Sequence, residues 1–249
     1  MNTEWIVGRR SVLEAMKAGR ELEKLLVAEG AAKGGLADLI RQARQKGIPV
    51  QQVPRSRLDR LAEGANHQGV AAEAAAYKYA RLEDLFRRAE EREEAPFFIL
   101  LDGIEDPHNL GSILRTADAA GAHGVIIPKR RAAGLTPAVG KASAGAVEYV
   151  PVVRVTNLHR TAEELKESGL WIIGSAPEAA SDFTEADYTL PLALVIGSEG
   201  RGMSRLMKET CDLLVRLPMA GRVASLNASV AAALLMYEVL RRRRGQGDR

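Results

Sequence analysis

The sequence predicts an α/β protein, on three observations. Short apolar runs recur along it: "FFILLDGI", "GVIIP", "EYVPVVRV", "LWIIGSA", "LALVIGSEG" and "LLVRLP". Such uninterrupted hydrophobicity suits strands covered on both faces. Between the runs lie segments with the spacing of amphipathic helices, and 249 residues suffice for one large or two modest domains.

Residues 1–76 read as a small α/β layer. "SVLEAMKAG" is a helix stopped by Gly19, "LEKLLVAE" contains a strand, and "GLADLIRQARQKG" is a helix closed by Gly47. "IPVQQV" is a strand, "RSRLDRLAEG" a short helix and "GVAAEAAAY" a last strand. Residues 77–95 are dense in charge and end at Pro96, which predicts a solvated connecting helix and a domain boundary. Residues 96–249 form the second domain. Its helices are expected at 110–120, around 158–168, around 203–209, and from about Ser225 to Arg243. This is the pattern of a doubly wound open sheet, whose ligands gather beyond the carboxyl ends of the strands.

Composition excludes several classes. No apolar run approaches the roughly 18 residues of a membrane span, and "MNTEWIVGRRSVLEAM" lacks the apolar core of a signal peptide. A cytoplasmic protein without a membrane partner is expected. The single Cys211 rules out an internal disulfide, and His67, His108, His123 and His159 show no ligand spacing, so no metal is expected. The net charge of +3 identifies no partner by itself. The tail "RRRRGQGDR" from Arg241 reads as a frayed, solvated end, with phosphate contact the other possibility.

Three strand-end loops carry the polar residues of interest. In "DPHNLGSILRTADAAG", Leu110, Ile113, Leu114 and Ala117 form a buried helical stripe. Asn109 stands where an N-cap belongs, while Gly111 and Arg115 share the opposite face. "GSEGRGMS" spaces Gly197, Gly202 and Ser204 like a phosphate loop, but Met203 replaces the lysine and Glu199 would sit in the anion cradle. Nucleotide triphosphate hydrolysis is thereby disfavoured. "LPMAGRVASLNASVAAALL" turns through Pro218 and Gly221 into the final helix, with Ser225 and Asn227 at its start.

Together, "NLGSILRTADAAGAHGVI", "LALVIGSEGRGMS" and "LPMAGRVASLNASVAAALL" resemble, in order and spacing, the three motifs of the SpoU branch of the SPOUT RNA methyltransferases. The likeness covers nearly the whole chain and points to the RlmB-type 23S rRNA guanosine 2′-O-methyltransferases of the SpoU/TrmH family. "GRRSVLEAM" and "NHQGVAAEAAAY" resemble their small N-terminal RNA-binding domain. Asn227-Ala228-Ser229 is a mild departure, since relatives often carry valine in the middle.

The resemblance implies a trefoil-knotted, Rossmann-like catalytic domain and a homodimer whose active site mixes two chains. It implies S-adenosyl-L-methionine held by Ser175, Ile196, Gly197, Leu217, Met219 and Leu226, with Gly197 letting backbone approach the adenosyl group. Arg115 would face the ribose 2′-hydroxyl, with Asn109 fixing the loop and Glu199, Ser225 and Asn227 holding arginine and ribose in attack geometry. A guanidinium has a pKa of about 13, so using one as a literal base costs about 8 kcal/mol at neutral pH. Electrostatic stabilisation of a developing alkoxide needs no such deprotonation. Arg9, Arg10, Arg41, Arg44, Arg55 and Arg57 of the first domain would dock RNA phosphates. Two alternatives stay open: the same chemistry on tRNA or another rRNA nucleotide, and a catalytically silent RNA-binding or ribosome-assembly protein.

Overall fold

The computed structural model describes residues 3–31, 34–222 and 225–247. In chain order its elements are β1 (Thr3–Val7), α1 (Arg9–Lys17), β2 (Leu22–Ala28), α2 (Gly35–Gln45), β3 (Val50–Val53), α3 (Arg55–Ala62), β4 (Val70–Ala75) and α4 (Leu82–Glu91). Next come β5 (Phe97–Asp102), α5 (Pro107–Ala119), β6 (Gly124–Pro128), α6 (Pro137–Ala142), a 3-10 turn (Ala146–Glu148), β7 (Val152–Val155) and α7 (Leu158–Glu167). The last are β8 (Trp171–Ser175), β9 (Ser181–Asp182), β10 (Leu192–Gly197), α8 (Arg205–Thr210), β11 (Leu213–Arg216) and α9 (Ala228–Gly247). They group into two compact units: Met1–Lys78 with Leu135–Tyr149, and Tyr79–Gly134 with Val150–Arg249.

The first unit holds a four-stranded sheet in the order β1-β4-β2-β3, antiparallel except for β2 with β3. Leu25 and Val27 face α1 and α2, packing with Val12, Met16, Leu36 and Leu39, whereas Leu26 and Ala28 face Leu58 and Ala62 of α3. This is the two-residue period of a strand. β1 is an addition to the expected strands, and Leu135–Tyr149 is an addition to the expected unit. A buried ion cluster explains the second. Arg20 is nearly enclosed and donates through Nη1 to Glu148 at 2.9 Å and through Nη2 to Glu4, with its guanidinium 3.6 Å from the Tyr77 ring centre. Buried charge requires partners, and the partner here is 128 residues away in sequence.

The second unit is a seven-stranded sheet, β7-β6-β5-β10-β8-β11-β9, parallel throughout. Phe98, Leu100, Ala193 and Val195 face a layer that includes Leu158, Ala162 and Leu165 of α7 and Met207 of α8. Alternation sends Phe97, Ile99 and Leu101 to the other face, where α9 packs on β10 and on α5. Both faces are covered, as continuous apolar strands require.

Three expectations need correction here. α4 is no solvated connector: Leu85 and Ala89 are buried, and Phe86 meets Phe98 edge-on at 5.1 Å. Its charge density masked a stripe at helical spacing, Leu82, Leu85, Phe86 and Ala89. The basic tail does not fray where it is described, since α9 runs to Gly247. Arg243 donates to the carbonyls of Ala95, Pro96, Tyr188 and Leu190 at 2.6–3.2 Å, and Arg241 and Arg242 pair with the buried Glu238. Asp248 and Arg249 of that tail lie outside the described residues. The final helix begins at Ala228, three residues later than expected.

Candidate active site

Parallel pairing sets the strand ends side by side: Gly197 of β10 lies opposite Asp102 of β5, and Val215 of β11 opposite Ser175 of β8. The three loops singled out in the sequence therefore open at one edge of the sheet. The loop after β10 folds back on itself, with Ser198 and Gly202 exchanging backbone hydrogen bonds of 3.0 and 2.8 Å. Gly200 and Gly202 take positive φ of 81° and 66° to make that turn. The Asp102 carboxylate accepts from Ser204 N at 2.7 Å, tying the loop to β5, and Ser204 caps α8 through Met207 N.

A cavity of about 260 Å³ lies beneath this loop. Ser175, Ile196, Gly197, Leu217, Met219 and Leu226, six residues from four separate sequence stretches, all line it. Ala176, Glu178, Lys208, Ser225 and Ala231 complete much of its wall. Gly197 has a second part to play besides lining the cavity. A Cβ there would lie 2.2 Å from Met203 N and 2.3 Å from the Gly202 carbonyl carbon. The bare side of Gly197 accommodates the returning loop, so a branched residue would unseat that loop rather than fill the cavity.

At the same edge, Asn227 joins the three loops. Its Nδ2 donates to Asn109 Oδ1 and to Glu199 Oε2, both at 3.0 Å. Its Oδ1 accepts from Ser229 N at 2.9 Å, Ser229 Oγ at 2.6 Å and Val230 N at 3.4 Å, capping α9. A carboxylate only accepts and backbone N–H groups only donate, so the chemistry of the neighbours fixes the orientation of this amide. Capping and site assembly are thus one arrangement.

Asn109 is not the N-cap of α5. Asp106 is, accepting from His108 N at 3.1 Å and Asn109 N at 3.3 Å ahead of Pro107 in the first turn. Proline lacks an N–H and has φ preset for that position, which moves the cap upstream and frees the Asn109 side chain for Asn227. Arg115 is exposed and forms no hydrogen bond or ion pair among the described residues. Glu199, Ser225 and Asn227 therefore do not hold it within this chain. Six residues of helix separate Arg115 from Asn109, about 9 Å along the axis. Val223 and Ala224 of the third loop lie outside the described residues.

Two further titratable side chains, His123 and Cys211, are structural. His123 is buried, accepting at Nδ1 from Phe97 N at 3.0 Å and meeting Glu94 through Nε2 at 2.9 Å. Burial holds its pKa below the ordinary value despite Glu94. Burial also pushes the Cys211 thiol up to about 12, which leaves it unreactive. Among the described residues no group of histidines, cysteines and carboxylates could hold a metal ion, and no helix is long and apolar enough to cross a membrane.

Comparison with known proteins gives a consistent result. Residues 96–237 match the SpoU rRNA Methylase family, and residues 5–80 match the RNA 2′-O ribose methyltransferase substrate-binding family. YacO of Bacillus subtilis, named for the TrmH family of tRNA/rRNA methyltransferases, is 58% identical over 245 residues, covering 98% of each chain. The SpoU methyltransferase AviRb of Streptomyces viridochromogenes, solved with AdoMet, superposes with a TM-score of 0.81 at 27% identity, covering 98% of this chain and 91% of its own. An AdoMet-bound rRNA methyltransferase of Sinorhizobium meliloti gives 0.78 at 25% identity, covering 96% and 87%.

Proposed function

This chain belongs to the SpoU rRNA methylase family and is an RNA methyltransferase that uses S-adenosylmethionine; from that premise we propose that it methylates the ribose 2′-hydroxyl of a guanosine in the peptidyl-transferase region of 23S rRNA, in the cytoplasm as ribosomes assemble. The observation that carries this reading is the cavity at the sheet edge, with the Asn109–Asn227–Glu199 cluster built from the adjoining loops.

The cavity fits the cofactor in character. Ile196, Leu217 and Leu226 offer apolar walls, and Ser175 with Glu178 and Lys208 offers polar contacts, the mixture usual in small-ligand sites. Ser175, Ile196, Gly197, Leu217, Met219 and Leu226 hold the cofactor, in a reading where the β11–α9 passage is the threaded part of a trefoil knot. The bound cofactor supplies an electrophilic methyl group. Arg115 stabilises the alkoxide that develops as the 2′-hydroxyl gives its proton to water or the neighbouring phosphate, and orients that phosphate through its planar fork. Asn227 fixes Asn109 and Glu199, so the rim that meets the ribose is preorganised.

In this reading a second copy completes the site and brings Arg115 to the cofactor. Val230, Leu234 and Tyr237 recur along α9 at 44–51% exposure, an apolar stripe suited to burial in a homodimer. The first unit docks the RNA, and Arg9, Arg10, Arg41, Arg44, Arg55 and Arg57 are all exposed there. Likeness over 96% of the chain to an enzyme named for rRNA favours rRNA over tRNA.

Tritium transfer from labelled S-adenosylmethionine to 23S rRNA fragments, followed by mapping of 2′-O-methyl sites, tests the assignment. One methylated guanosine in the peptidyl-transferase fragment is expected; methylation of a tRNA transcript alone would replace rRNA by tRNA. Mixing Arg115→Ala subunits with Ala231→Phe subunits, whose added ring would fill the cavity, should restore part of the activity. No recovery in proven heterodimers would refute the shared site.

A further inference from the structure

The loop after β6 carries Lys129, Arg130 and Arg131 in succession, with no acidic residue before α6 begins at Pro137. β6 is parallel to β5, which is parallel to β10, so this loop leaves the sheet at the same edge as the candidate active site. Both of its ends are fixed. Lys129 N donates to Val155 O at 2.7 Å, and Ala133 N donates to Ile104 O at 2.8 Å. Ile104 lies in the loop that leads into α5, so the second bond ties the basic loop directly to the segment presenting Asn109 and Arg115. Arg154 braces the first end, donating to Lys129 O at 3.2 Å with its guanidinium 5.4 Å from the Tyr79 ring centre.

Between these anchors the three cationic side chains are exposed and take part in no hydrogen bond or ion pair among the described residues. Arg131 is held at a φ of 57°, a backbone conformation that side-chain-bearing residues seldom adopt. The nearby carboxylates are already engaged: Asp102 by Ser204 N, Asp106 by the first turn of α5, and Glu105 by Arg201 at 3.8 Å. Three adjacent like charges repel one another, and among the described residues no carboxylate pairs with them. An anchored, uncompensated cationic run beside a site that takes RNA matches the spaced negative charge of a sugar–phosphate backbone.

The geometry points to Lys129, Arg130 and Arg131 as a phosphate grip of the methyltransferase unit, binding the RNA backbone that flanks the nucleotide in the active site. This rests on the reading that the substrate is RNA, and is independent of which RNA it is. It adds to the first unit a second set of RNA contacts, placed where it sets the strand's path past Arg115. Phosphate contacts position without reading sequence, so the loop contributes affinity and register rather than base choice.

The test compares the full-length protein with a Lys129→Gln/Arg130→Gln/Arg131→Gln variant, which keeps the side-chain stems and the backbone anchors. Arg160→Gln serves as the control for charge loss, because Arg160 is exposed on α7 and already paired with Glu164. The probes are a transcribed 23S rRNA peptidyl-transferase fragment and a tRNA transcript. The triple variant should bind the RNA that the native protein binds about 10- to 100-fold more weakly at 0.1 M salt. Its plot of log affinity against log salt should lose about 2 units of slope. The RNA KM should rise while kcat at saturating RNA and the S-adenosylmethionine Kd stay within twofold. Unchanged RNA affinity and salt slope, with cofactor binding intact, would overturn the grip and leave the loop to an acidic protein surface. If the native protein binds tRNA and not the 23S fragment, the rRNA assignment fails, while the slope difference measured on tRNA still decides the loop.

Discussion

Arg20 and Arg115 show two opposite ways of placing a cation. Arg20, in the first unit, is surrounded: Glu4, Glu148, the Ala75 carbonyl and the Tyr77 ring use its whole fork. Burial raises the Tyr77 pKa and keeps that of Glu148 above the usual carboxylate range even beside Arg20. Arg115, in the second unit, is exposed on α5 without a partner among the described residues, although ordered polar groups stand at the adjoining strand ends. A saturated guanidinium fixes chain segments to each other; an open one on a rigid helix is available to a ligand. The difference lies in topology. In the first unit the Leu135–Tyr149 segment brings Glu148 onto Arg20, whereas the parallel sheet of the second gathers loops at one edge and leaves them facing solvent.

The sharpest break in this comparison is Arg115→Ala. Methyl transfer should fall by about 10²- to 10³-fold, the usual cost of losing one donor to a developing oxyanion, while the S-adenosylmethionine Kd measured by calorimetry stays within twofold. Arg115→Lys should recover little, because lysine lacks the planar fork. Full activity in the alanine variant would remove Arg115 from the mechanism.

Arg20→Met should act on stability instead. It leaves Glu4 and Glu148 buried without their cation, and breaking such a cluster costs about 3 kcal/mol or more. Urea unfolding should show the loss, with cofactor affinity unchanged at 25 °C. A smaller loss on replacing Arg20, Glu4 and Glu148 together by apolar residues would identify the penalty as unpaired charge. Equal losses in the single and triple variants would contradict that.

Asn227→Ala lies between the two. Removing the cap of α9 should cost about 1 kcal/mol, and freeing Asn109 and Glu199 should lower kcat by about tenfold or more at unchanged cofactor Kd. Asn227→Ser retains a capping oxygen but cannot bridge both partners, so it should recover stability and not kcat. Parallel recovery of both would make Asn227 a cap alone.

The smallest effect concerns pH. The folded His123 has a pKa below its unfolded value because burial disfavours the imidazolium. Its contribution is therefore complete above about pH 6.5 and declines as pH falls toward the folded pKa, at most about 1.4 kcal/mol per pH unit. The drop in Tm between pH 7.5 and 5.5 should be smaller in His123→Gln than in the native protein. An identical drop in both would assign the pH dependence to other groups.

Much of the fold was legible in the residues themselves. Continuous apolar runs marked β5, β6, β8 and β10, because strands buried on both faces have no polar alternation to hide them. The two-residue β9 was not, since two residues carry no measurable period, nor was α6, whose Pro-Ala-Val-Gly-Lys-Ala has no amphipathic spacing. α4 misled by its charge, and Asn109 by its resemblance to a cap that Pro107 moves upstream to Asp106. Within the site, Asn109, Arg115, Glu199 and Asn227 were marked by their places in the three motifs that resemble the SpoU family. The sequence held no sign that one amide would both cap α9 and join Asn109 to Glu199.

By itself the sequence determined the succession of strands and helices, the three polar strand-end loops and the family to which they belong. The elements and loops follow from local periodicity and residue chemistry, which the chain carries wherever it goes, and the family from the likeness of three motifs in order and spacing. Only the tertiary structure decided that Leu135–Tyr149 joins the first unit, that Gly197 makes room for its own loop, that Arg243 anchors α9 to four carbonyls, and that Lys129–Arg131 is tied to the loop before α5. All but the Gly197 contact, which lies within one loop, join residues far apart in sequence. Such contacts depend on which buried donors, acceptors and charges find one another once the sheets have formed, and no local pattern encodes that pairing.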